Sequence, residues 1–117
     1  MTNYQCVGDC KVDASLLSPG CYILPEEVVN EVGAVWGGQP ADITSSFDIT
    51  ADLYVGTKDD GADGIAFVIQ NALGNTAVGG DGGRLGFLGI GDFFAVDVDT
   101  YWNHNLDDEM KEDHIFV

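Results

Sequence analysis

Cations are scarce in this chain. Four Lys and Arg face twenty Asp and Glu, a formal net charge of -16, and a surface of that sign repels phosphate backbones, whose binding depends on Lys and Arg. Nucleic acid is excluded as a partner on that ground. Long apolar runs are missing too: none reaches the roughly 18 residues of a membrane helix, so no membrane insertion is expected. Cysteine is limited to Cys6, Cys10 and Cys21. Their C-x-x-x-C spacing lacks the second pair and the His of a zinc site, so one disulfide and one leftover thiol are expected, with the pairing open, in an oxidising compartment. The opening MTNYQCVGDC has neither the basic nor the apolar region of a secretion signal, so such a signal was removed ahead of this numbering or never existed.

What is present is apolar enough to fold. Hydrophobic residues make up 45% of the 117, and the acids are interleaved with them rather than blocked together, so a core rather than a disordered chain is expected. Sixteen glycines punctuate short β-prone segments. Residues 46–55, SFDITADLYV, alternate polar with apolar and predict a half-buried strand with Phe47, Ile49, Ala51, Leu53 and Val55 on one face. Ile65–Ile69 and Phe93–Val98 are continuous runs, as in strands covered on both faces or central in a sheet. Tyr22–Leu24 and Gly33–Trp36 predict shorter strands, and Pro25–Val32 a helical turn with Pro at its first position. Helices long enough for parallel crossovers are lacking, so the fold class is all-β, an antiparallel sandwich or barrel. One domain over 1–117 is expected, with 1–20 as an N-terminal extension. The apolar ending His114-Ile115-Phe116-Val117 predicts the start of a strand in a longer sandwich.

Residues 95–115, AVDVDTYWNHNLDDEMKEDHI, hold seven carboxylates and one lysine. Asp97 and Asp99, two apart on a strand, share a face, and like charges so placed repel unless a cation lies between them. Calcium takes six to eight oxygens from carboxylates, amides and carbonyls, and His114 adds a nitrogen that suits a transition ion such as Mn²⁺. The helix-loop-helix calcium motif does not fit, because Tyr101 and Trp102 stand where it needs Asp or Asn and Gly. A solvated acidic loop with an ordinary surface histidine is the plainer alternative.

The same run, A-V-D-V-D-T-Y-x-N followed by acids and D-H-I, resembles the metal-binding segment of the L-type (legume-like) lectins. Two upstream stretches are similar to that family in the same order: Gly61-Ala62-Asp63-Gly64-Ile65-Ala66-Phe67 and Gly82-Gly83-Arg84-Leu85-Gly86. The approach through Gly33–Trp36 and Ser46–Ile49 resembles bacterial members, and the likeness spans about residues 20–117. It implies a concanavalin-like jelly-roll sandwich, incomplete toward its C-terminus, with calcium and a transition metal side by side beneath a sugar site. Asp97, Asp99, Asp108 and His114 would hold the transition metal. Asp99, the Tyr101 carbonyl, Asn103 and Asp108 would hold calcium. Asp108 is preferred to Asp107, although Asp108-Glu109 replaces the family's D-P, and Asp97 stands where Glu is usual. The sugar would be bound by Asp63, across a cis Ala62–Asp63 peptide, with the Gly83 N–H, the Asn103 amide and the Tyr101 ring, and Arg84 would touch neighbouring sugar units.

Function therefore divides three ways. A non-catalytic, calcium-dependent lectin that binds mono- or oligosaccharides, within a secreted or cell-surface protein, is the leading expectation. A retaining glycoside hydrolase on a similar sandwich would need a third acid in E-x-D-x-x-E, with acid and nucleophile about 5 Å apart; that third position is Trp102. A metal-stabilised structural or adhesion domain, with homo-oligomer formation or pairing to further strands, is the third. The Gly79–Gly83 run does not match the nucleotide-binding G-x-G-x-x-G, and no helix follows it.

Overall fold

The computed structural model describes residues 3–13, 20–25, 28–58, 61–72, 74–104 and 110–117. Seven strands and two single 3-10 turns are found there, and every ladder is antiparallel. β1 (Tyr4–Gly8) pairs with β4 (Gly33–Gly37), and β2 (Lys11–Val12) with β3 (Tyr22–Ile23). β5 (Gly64–Gln70), β6 (Phe93–Asp99) and β7 (His114–Phe116) form a three-stranded sheet with β6 in the middle. An all-β, antiparallel architecture of the sandwich class follows, and the C-terminal apolar run is indeed a strand.

The sheet register sorts side chains by face, since directly opposed residues point the same way. Ala66 opposes Asp97, Val68 opposes Ala95, and Asp99 opposes both Gly64 and His114. Ala66, Val68 and Ala95 pack on the buried cluster of Ala77, Phe87 and Ile90, joined by Trp36 from β4 and by Leu85. The Trp36 indole N–H donates to the Ala77 carbonyl at 2.6 Å, so the second layer is anchored by a directed bond as well as by apolar contact. Phe87 meets Phe93 edge-to-face with centroids 5.1 Å apart.

Ile65, Phe67, Ile69, Phe94, Val96, Val98 and Ile115 occupy the opposite face. Phe94 is 51% exposed and Ile115 69%. The continuous β6 run thus reflects a central strand, on which Val96 and Val98 are half-buried and Phe94 is exposed.

Two local expectations are corrected. Residues 46–55 make no ladder, and Phe47, Ile49, Leu53 and Val55 are exposed. Alternation marks which side chains want burial but supplies no neighbouring strand, and without one the backbone gains no ladder. Pro25 and residues 28–32 form no helix. Asn30 has φ +64, a left-handed turn conformation, and Val32 closes on β1: the Asp9 N–H donates to the Val32 carbonyl and the Val32 N–H to Asp9 Oδ2, each at 2.9 Å. Those nonlocal bonds satisfy groups that a helix would have used.

At the N-terminus Cys6 and Cys10 form a disulfide with Cα atoms 5.4 Å apart, and Cys21 is the half-buried free thiol. Among the described residues no helix is long and apolar enough to cross a membrane.

Candidate functional site

The site is built where β5 begins and β6 ends. Gly64 opposes Asp99, and its φ of +141 suits glycine alone, while a Cβ there would collide with the Val98 carbonyl. The A-D-G stretch therefore needs its Gly to bring Asp63 against the end of β6. The Ala62–Asp63 peptide is cis. Thr100 ties the two chain segments: its N–H donates to the Asp63 carbonyl at 2.9 Å and its hydroxyl to the Gly61 carbonyl at 3.3 Å.

Asn103 reaches the same point from the loop after β6, its Nδ2 donating to Asp63 Oδ1 at 2.9 Å, a bond strengthened by the acceptor's charge. An amide NH₂ carries two donors and its oxygen is an acceptor, so one bond to Asp63 still leaves chemistry for a cation and a hydroxyl. The glycine loop closes the other side. Gly82–Arg84 is a 3-10 turn after Asp81, Gly82 has φ +60, and a Cβ on it would lie 3.6 Å from Asp63 Oδ2. The loop is held by Gly79 N–H to the Gly86 carbonyl at 2.7 Å and Gly80 N–H to the Leu88 carbonyl at 3.0 Å. Asp63, Asn103 and the turn carrying Gly83 are thus neighbours. Tyr101 is exposed beside them, its N–H donating to Asp99 Oδ1 at 2.9 Å.

Asp97, Asp99 and His114 share one face of the sheet, with His114 directly across from Asp99. His114 Nδ1 lies 3.0 Å from the Glu112 carbonyl. A carbonyl can only accept, so Nδ1 is the donor in this contact and Nε2 takes no part in it. Asp97 Oδ1 is buried with no hydrogen-bond partner, an environment that suits a cation better than a bare carboxylate. No group of three or more His, Cys, Asp or Glu gathers at metal-holding distance among the described residues. Asp107 and Asp108 fall outside those residues, and the remaining calcium ligands of the expected set, the Tyr101 carbonyl and the Asn103 amide, are of neither type. Asp97, Asp99 and His114 thus share a face without closing into a metal-holding group, and the one feature there that suits a divalent ion is the orphaned Asp97 oxygen.

A cleft of ≈ 270 Å³ adjoins Thr100, lined by residues 55–58, Gly61 and Asp113. Two features escaped the sequence reading. Thr100 bonds through backbone and hydroxyl, and nothing marks that role in a strand-end threonine. Trp102 stacks on His104, with centroids 3.6 Å apart, beneath Lys111 Nζ at 4.6 Å; an aromatic in a polar loop was its available signal.

Fold and site together define a lectin-type β-sandwich domain. The chain belongs to the L-type lectin family: the family model for the legume lectin beta-barrel domain matches residues 1–117, a family that binds carbohydrate without catalysis. The chain is also similar to Pesticidal crystal protein Cry22Aa of Bacillus thuringiensis, with 37% identity over 81 residues, 68% of this chain and 11% of that protein. It thus spans a small part of the length of that curated relative.

Proposed function

We propose that this domain binds glycans in a calcium-dependent, non-catalytic manner, as part of a secreted or cell-surface protein. The observation that carries the reading is the 2.9 Å bond from Asn103 Nδ2 to Asp63 Oδ1, with the Gly82–Arg84 turn against the same carboxylate. Asp63 accepts hydrogen bonds from two neighbouring sugar hydroxyls, Gly83 donates its N–H, Asn103 donates its second amide hydrogen, and Tyr101 covers the apolar face of the ring. Asp99, the Tyr101 carbonyl, Asn103 Oδ1 and Asp108 hold calcium. Asp97, Asp99, Asp108 and His114 hold a transition ion such as Mn²⁺. A bound cation supplies the positive charge that lets these acids stand together. Arg84, on the glycine turn, is in reach of a second sugar unit.

The two-carboxylate hydrolase reading is disfavoured because Trp102 occupies the third acid position.

Glycan-array binding with calcium and with a chelator tests the reading. Binding that the chelator abolishes, without release of reducing ends, is expected, and Asp63→Ala should weaken it at least tenfold, the size of one hydrogen bond to a charged group. Undiminished binding by Asp63→Ala, or chelator-insensitive binding, overturns it.

A further inference from the structure

Trp102 is absent from the ligand set above, yet three contacts converge on it and its neighbours. Its ring meets that of His104 at 3.6 Å between centroids and 36° between planes. Lys111 Nζ stands 4.6 Å from its centroid, a cation–π distance. Asn103, the residue between the two stacked rings, makes the bond to Asp63 Oδ1. Fixing the side chains of 102 and 104 against each other fixes the backbone from which Asn103 projects. Lys111 comes from the far end of the connection between β6 and β7, just before His114, so its contact ties that end back to the site.

We propose that Trp102 is a positioning residue: clasped by His104 and Lys111, it closes the β6–β7 connection and holds the Asn103 amide against Asp63. Glycan affinity then depends on a ring that touches neither sugar nor ion. The dependence on glycan rests on the function proposed above, whereas the positioning of Asn103 does not. In a chain with four cations and twenty acids, a lysine held over an aromatic face, amid several carboxylates in the same loop, is spent on geometry rather than on charge balance alone. The loop's two ends are thereby bound to each other in addition to the β6–β7 ladder.

The test reads two quantities on the full chain with calcium present. One is the side-chain amide signal of Asn103 in the ¹⁵N-correlated spectrum without glycan, assigned by its loss in Asn103→Asp. The other is affinity for the best array glycan. Trp102→Leu should move the Asn103 amide signal toward its solvent-exposed position and weaken glycan binding about tenfold, with Trp102→Phe recovering most of both. Lys111→Met, a surface change that leaves folding intact, should weaken binding about threefold, and the double variant should be no weaker than Trp102→Leu alone. Unchanged amide signal and affinity in Trp102→Leu and Lys111→Met, with binding still lost in Asp63→Ala, overturns the positioning role and spares the lectin reading. If the parent binds no glycan, the lectin reading fails, and the amide signal alone decides the role of Trp102: moved in both variants, it stands; unmoved, it falls.

Discussion

Replacing Asp97 by Asn separates the cost of the acidic cluster from its use. Asp97 Oδ1 is buried without a partner, and Asp99 lies on the same face of the sheet. A buried acceptor left unsatisfied costs about 1–3 kcal/mol, and the neighbouring like charge adds to that. Asn keeps the shape and removes the charge, so without divalent ions the variant should be more stable than the parent by about 1 kcal/mol. For a domain near 100 residues that is roughly a 4 °C rise in melting temperature. In manganese the order should reverse. An ion at 100 times its dissociation constant stabilises the folded state by about 2.7 kcal/mol, close to 10 °C on the same scale, and a variant that has lost a charged ligand should gain much less. Differential scanning calorimetry in chelator and then in excess manganese reads both signs. The reasoning fails if Asp97→Asn lowers the melting temperature equally in both conditions, because the carboxylate would then be making an ordinary structural bond.

Three further outcomes follow from the geometry. Gly64→Ala should destabilise the fold by about 3 kcal/mol or more in urea unfolding, since its φ of +141 and the Val98 carbonyl leave no room for a Cβ; a loss under 1 kcal/mol would contradict the close approach of β5 to β6. Cys6→Ser/Cys10→Ser should cost about 2 kcal/mol, because the disulfide closes a short loop, and alkylation of the unreduced parent should label one thiol, Cys21. The Thr44 hydroxyl and N–H both donate to Asp42 Oδ1 and hold its carboxyl below the ordinary 3.8. A lowered folded value means that this contribution is present above the ordinary value and is lost as pH falls through the folded one. Thr44→Val should return the Asp42 midpoint, followed by carboxyl NMR, toward 3.8.

Sequence pattern reached the strands that have partners and overreached where partners are missing. Phe93–Val98, Ile65–Ile69 and Gly33–Trp36 carry dense β-branched and aromatic runs, and each lies in a ladder. Residues 46–55 carry as clear an alternation, yet form none. The difference is not local: β propensity reports fitness for a half-buried pleated surface, and only a neighbouring strand provides that surface. The turn at Asn30 was hidden for the same reason, since its bonds run to Asp9, twenty-three residues from Val32. The resemblance to the lectin family implied that Asp63, Asn103 and the glycine turn would meet, and these residues are neighbours in the structure. The bonds made by Thr100 and the clasp on Trp102 depend on how loops meet, which no local pattern encodes.

The period of two along β5 and β6 also separates the site from the rest of the surface. Gly64, Asp97, Asp99 and His114 share the face that packs, through Ala66, Val68 and Ala95, on the buried cluster. Ile65, Phe67, Ile69, Phe94, Val96, Val98 and Ile115 take the other face, and no charged residue stands among them. A contiguous apolar face of this kind is what one sheet of a sandwich presents to another. The Asn103–Asp63 contact and the glycine turn rest on the ladder, on Gly64 and on the bonds of Thr100, none of which involves a side chain of that face. A one-residue slip of β6 against β5 would exchange the two sets, carrying the carboxylates into the apolar layer. The register that buries Ala95 beneath Phe87 and Ile90 is therefore the same constraint that keeps Asp97 and Asp99 facing the site.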